Sequence, residues 1–135
     1  MTYALTEFSW RTRVYWEDTD GGGVVYYANY LKFMERARTE WLAARGPSLA
    51  ELEGDHAIVF VVTRAEVEFR APARLGDLLA VGVDVVPQGR ARCVARQDIR
   101  RGDEVVVAAT ITLACVDRTT FKPRRMPANL LEPHT

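Results

Sequence analysis

Only one stretch of this chain is patterned as a long helix, and nearly everything around it is patterned as strand. Across residues 27–45 the side chains Tyr30, Phe33, Met34, Ala37, Trp41 and Ala44 recur at spacings of three and four, the period of one helix face. That face is broad and aromatic, so it must be buried along much of its length. Gly46-Pro47 ends it, because glycine suits the turn after a helix and proline cannot continue one. A face of this width needs a sheet to lie on. Residues 8–16 supply a first strand, with Phe8, Trp10, Thr12, Val14 and Trp16 alternating against Ser9, Arg11, Arg13 and Tyr15. Residues 58–70, 78–86, 91–100 and 104–117 are also β-rich, with turns at residues 72–77, at Pro87-Gln88-Gly89 and at Arg101-Gly102-Asp103. A short second helix is predicted from Ser48 to Glu53, where Ser48 and Glu51 have the spacing of a capping box.

The order strand, helix, four strands predicts an α+β fold. One long helix is wrapped by a five-stranded antiparallel sheet, in a single domain over residues 1–135. Polar positions such as Arg92 and Gln97 recur in several strands and predict a sheet with one wetter face. Five strands around one helix leave edges and an apolar face open, which predicts pairing between subunits.

Composition removes whole classes of function. The 135 residues carry 18 basic and 18 acidic side chains, so no overall field draws the chain to nucleic acid or to an anionic membrane. No apolar run approaches the ~20 residues that span a bilayer, and residues 1–10 lack the apolar core of a secretory signal. Cys93 and Cys115 each sit in an apolar strand pattern, as buried reduced thiols do, without the spacing of a metal site. A cytoplasmic protein is expected. Its only histidines are His56 and His134, and neither serine (Ser9, Ser48) stands in a nucleophile elbow. Serine and cysteine hydrolases are therefore disfavoured. No Walker or dinucleotide motif occurs, so neither a cofactor nor a metal is expected.

What remains is carboxylate chemistry, and one place to do it. Asp18 and Asp20 close the first strand pattern, Gly21-Gly22-Gly23 follow, and the helix opens behind them. Two acids two apart on an extended backbone share a face, and glycines let a substrate approach the main chain closely. The first N–H groups of a helix have no intrahelical partner. One of them, that of Tyr27, could hold a carbonyl oxygen as charge develops on it. Either acid could equally cap the helix.

The block from Tyr15 to Arg38 (YWEDTDGGGVVYYANYLKFMERAR) resembles the YbgC-type branch of the 4-hydroxybenzoyl-CoA thioesterase family. The likeness continues through Phe60-Val61-Val62, through residues 67–77 (VEFRAPARLGD) and through Pro123-Arg124-Arg125-Met126-Pro127. The resemblance implies the hotdog fold and hydrolysis of acyl-CoA thioesters, at sites built between subunits of a homodimer or homotetramer. It implies Asp20 as the catalytic carboxylate and Tyr27 as the residue whose N–H polarises the thioester carbonyl. Members of that branch often carry histidine where this chain has Tyr27, and a substitution there alters pocket shape if only the main-chain N–H is used.

Gly23, Val24, Tyr26, Tyr30 and Phe60 are candidates for the substrate pocket. Arg124, in a basic stretch with Arg118, Lys122 and Arg125, is a candidate for the phosphates of coenzyme A. A hydratase acting on hydroxyacyl thioesters is a weaker reading, since it needs a histidine partner. A non-catalytic module that binds acyl thioesters or acyl carrier protein is the other alternative, and it would leave Asp20 dispensable.

Overall fold

The structure, a computed structural model, describes residues 8–46, 48–127 and 130–131. β1 (Phe8–Arg13) passes through a single 3-10 turn (Trp16–Asp18) and the glycines into α1 (Asn29–Ala44). α2 (Leu49–Asp55) follows, then β2 (Ile58–Phe69), β3 (Leu78–Pro87), β4 (Arg92–Arg96), β5 (Ile99–Arg101) and β6 (Glu104–Asp117). The sheet runs β1-β3-β4-β6-β2, with β5 continuing beyond β4 between the same neighbours, β3 and β6. Every strand pairing is antiparallel.

α1 lies on this sheet with Tyr30, Phe33, Met34, Ala37 and Leu42 buried, and Trp41 packs against the same core. Full burial of each larger side chain contributes about 1.5–3 kcal/mol, so packing, more than helix propensity, holds the element. Ala44, expected on this face, is exposed, whereas Leu42 on the flank is buried. Residues 130–131 explain the change: Leu42 and Leu130 line one cavity, and the Arg45 Nε donates to the Leu130 carbonyl at 2.7 Å. Pro47 and His134 lie outside the described residues. α2 forms with Ser48 as its cap, whose Oγ accepts the Glu51 N–H at 3.1 Å.

Three readings of the sequence need correction. The sheet has six strands, because the expected strand at residues 91–100 breaks at Gln97 and Asp98. Gln97 does not belong to a wet face: it is 0% exposed and docks under α1. Its Nε2 donates to the Met34 carbonyl at 2.9 Å and its Oε1 accepts from Arg38 Nη1 at 2.8 Å. A buried amide left without such partners costs about 1–3 kcal/mol, so the strand yields its regular pairing to satisfy it. The third correction concerns β1, which ends at Arg13. The Val14 backbone bonds to Asp77 and Gly76, and Trp16, now 73% exposed, starts the 3-10 turn.

β2 is an edge strand. It pairs with β6 from Ile58↔Asp117 to Phe69↔Val107 with one irregularity at Thr63, and among the described residues nothing pairs with its outer side. Cys93 and Cys115 are buried free thiols, and desolvation pushes Cys93 up to about 11. No helix among the described residues is long and apolar enough to cross a membrane.

Candidate active site

The turn between β1 and α1 is held by main-chain bonds together with short-range bonds from polar side chains. The Tyr15 N–H donates to Asp18 Oδ2 at 2.8 Å, which closes the 3-10 turn. The Asp18 carbonyl then accepts both the Tyr26 N–H (3.0 Å) and Asn29 Nδ2 (2.8 Å), tying the turn to the start of α1. The Asp20 N–H donates to the Val24 carbonyl at 3.0 Å, so residues 20–24 form a closed tip. Gly21 and Gly23 sit there at φ 88 and 90, a conformation that side-chain-bearing residues rarely adopt. Gly22 leaves room for the carboxylate: a Cβ on it would stand 3.1 Å from Asp20 Oδ1 and press that side chain aside.

Asp18 and Asp20 do not share an extended face, because Asp18 ends a 3-10 turn. Neither carboxylate caps α1, whose N-cap is Ala28 without a side-chain bond. The two acids have separate tasks. Asp18 folds the turn, whereas Asp20 is exposed and its Oδ1 accepts the Gly22 N–H at 2.7 Å. Among the described residues no cation pairs with Asp20.

α1 begins two residues later than its periodicity suggests, and its first turn is tight: the Asn29, Tyr30 and Leu31 N–H groups donate to the carbonyls of Tyr26, Tyr27 and Ala28. Among the described residues no acceptor faces the N–H of Tyr27 or of Ala28. These are the open donors at the positive end of the helix dipole. The glycine tip thus carries an oriented carboxylate and the helix start a few residues on carries two open N–H groups, the kinds of part that attack on a carbonyl carbon requires.

Aromatic rings surround this point. Tyr26 and Tyr27 have centroids 4.9 Å apart, and the neighbouring Tyr27 phenol raises that of Tyr26 above its ordinary range. Tyr27 meets Phe69 edge-on at 6.0 Å, and Phe69 lies 5.8 Å from Tyr30. Phe69 enters from the end of β2 and nothing in its local pattern marks it. Tyr30 is 3% exposed; burial raises its pKa, and its hydroxyl accepts the Ala73 N–H at 3.1 Å.

Phe60 and Arg124 are held elsewhere in the protomer. Phe60 lines a cavity of about 240 Å³ beneath the second half of α1, with Arg38, Trp41, Leu42, Leu113 and Leu130 among its walls. Phe69 lies nine positions along β2 from Phe60, about 30 Å of strand. Arg124 lies beyond the far end of β6, where its Nη1 donates to Asp117 Oδ2 at 2.9 Å.

This turn lies at the start of a region that matches a known family. Residues 22–108 match the thioesterase superfamily, 4HBT. The chain belongs to that family. It is 39% identical over 127 residues to the acyl-CoA thioester hydrolase YbgC of Escherichia coli, covering 93% of this chain and 94% of that one. Likeness to the acyl-CoA thioesterase YbgC of Haemophilus influenzae is 40% over 120 residues, 89% and 88% of the two chains. The crystal structure of a probable thioesterase from Bartonella henselae, 35% identical, superposes with a TM-score of 0.83 over 88% of this chain and 98% of that one. The α+β arrangement of this thioesterase is thus the hotdog fold, with α1 as its central helix.

Proposed function

We propose that this chain hydrolyses acyl-CoA thioesters to the free acid and coenzyme A, with Asp20 as its carboxylate and the Tyr27 N–H as the donor to the thioester carbonyl. The observation that carries the reading is the exposed Asp20 carboxylate beside open main-chain donors, in a thioesterase-superfamily chain. An oxygen gaining negative charge at those donors is stabilised where it forms, and one such donor accounts for ~10²–10³ in rate. Asp20 either attacks the thioester carbon, expelling the thiolate and leaving an anhydride for water to open, or draws a proton from the attacking water. Thiolate leaves without a strong acid to protonate it, which suits a chain whose only histidines are His56 and His134. Gly23 and Val24 let the thioester lie against the main chain, and Tyr26 and Phe69 wall it. Tyr30 serves from behind.

The separation of Phe60 and Arg124 from Asp20 supports a site shared between two copies. Antiparallel pairing of two β2 edges would set the Phe60 end of one copy beside the Phe69 end of the other. The cavity under α1 would then receive the acyl group, and Arg124 would lie at the rim for the phosphates of coenzyme A. A homodimer, or a tetramer of such dimers, is the assembly this requires. Acyl carrier protein is an alternative carrier for the same thioester. Reduced, buried Cys93 and Cys115 fit a cytoplasmic place of work.

The test is thiol release from a panel of short-chain, long-chain and aromatic acyl-CoAs and from acyl carrier protein thioesters. Turnover of one class identifies the substrate. Tight binding across the panel without thiol release would instead establish a binding module.

A further inference from the structure

The loop of residues 72–77 joins both halves of the site and is itself drawn together by one distant side chain. Its Ala73 carbonyl accepts the Val25 N–H at 2.9 Å and its Leu75 N–H donates to the Gly23 carbonyl at 3.0 Å, so it sets the height of the glycine tip that carries Asp20. Its Ala73 N–H donates to the hydroxyl of Tyr30, on the first turn of α1, and so the loop also sets the start of the helix that carries the Tyr27 N–H. The distance between carboxylate and donor is therefore held by this loop together with the bonds from Tyr26 and Asn29 to the Asp18 carbonyl.

Arg101, at the end of β5, closes the loop. Its Nη1 donates to the Pro72 carbonyl at 3.0 Å and to Asp77 Oδ2 at 2.7 Å, pinning both ends with one nitrogen. The same Asp77 oxygen accepts the Arg74 N–H at 2.8 Å. Partial burial works to raise the Asp77 carboxyl, but the Arg74 N–H and the Arg101 guanidinium outweigh it and hold it below the usual carboxylate range. Glu104 holds the other arm of Arg101 in place.

We infer that Arg101 is a positioning residue for the hydrolysis: by stapling the two ends of the loop at residues 72–77 through Pro72 and Asp77, it holds Asp20 and the Tyr27 N–H at their working separation. The inference rests on the reading of the Asp20 turn as the catalytic site. A role of this kind acts on kcat, because the loop bonds to Gly23, Val25 and Tyr30, which flank the reacting groups, and does not line the acyl cavity.

Steady-state thiol release from the best acyl-CoA of the panel, with thermal melts alongside, tests it in Arg101→Gln, Arg101→Lys and Asp77→Asn, each also combined with Asp20→Asn. The expected result for Arg101→Gln is a kcat about tenfold lower, the scale of a small displacement of reacting groups, with KM within about twofold of the parent. Lysine, which keeps the charge toward Asp77, recovers most of the rate. Asp77→Asn behaves like Arg101→Gln, so the result stands even where one variant folds poorly. In the Asp20→Asn background neither change reduces the residual rate further. Parental kcat in Arg101→Gln, or a loss undiminished in that background, would overturn the inference alone. Parental activity in Asp20→Asn would overturn the site and the inference with it.

Discussion

At the scale of single residues, Gly22 orients Asp20, its N–H donating to Oδ1 at 2.7 Å. Its backbone does not occupy the positive-φ region, so alanine there costs little strain, yet the new Cβ would press on Asp20 Oδ1 from 3.1 Å. We expect Gly22→Ala to fold with a melting temperature near that of the parent and to lose roughly tenfold in kcat as the carboxylate swings aside; an unchanged kcat would show that the orientation given by the Gly22 N–H is unimportant. Cys93 gives a prediction in pH. Its folded pKa is raised above the ordinary thiol value, so its burial stabilises the protein fully below the unfolded pKa, and that contribution fades as pH climbs through about 11. Melts of the parent should fall more steeply than those of Cys93→Ala between about pH 9 and 11; parallel curves would contradict it. This much of the site was legible in sequence because its pieces are contiguous: acids, glycines and helix start follow one another within residues 18–29. Phe69, Ala73 and Arg101 were not legible, since their part in the site is set by ladders and a loop that local patterns do not encode.

Among the elements, α1 was readable from its apolar period, and its aromatic face is buried as that period requires. The break between β4 and β5 was not readable. It depends on Gln97 meeting Arg38, 59 residues away in the chain, and a polar residue in an alternating strand reads by default as solvent-facing. Removing one member of this pair should cost more than removing both. Gln97→Met is expected to destabilise the protein by about 1–3 kcal/mol, leaving the half-buried guanidinium without its acceptor. Arg38→Met with Gln97→Met should be milder than the sum of the two single changes in denaturant melts. Strict additivity would mean that the two side chains contribute independently.

For the molecule as a whole, the open β2 edge and the split placement of Asp20 and Phe60 support one proposal: that a protomer holds two half-sites and no complete one. Co-refolding Asp20→Asn with Phe60→Asp tests it. Each variant alone should be inactive, whereas the mixture regains activity, because one site of each mixed dimer unites an intact Asp20 with an intact cavity. A mixture as inactive as its components would argue for sites complete within one copy. A partner is what the sequence leads one to expect, since one helix cannot cover both faces of such a sheet. Which ends would meet depends on strand order and appears only once β2 is known to be the edge.

The most direct measurement compares kcat for Asp20→Asn and Asp18→Asn on the acyl-CoA that the parent hydrolyses fastest, with binding of that thioester measured in parallel. Asp20→Asn should lose about a hundredfold or more in kcat, the scale of losing a group acting in the transition state, and keep its affinity. Asp18→Asn, which retains an acceptor for the Tyr15 N–H, should lose far less. Equal losses in the two variants, or an active Asp20→Asn, would contradict the assignment of Asp20 as the carboxylate that does the chemistry.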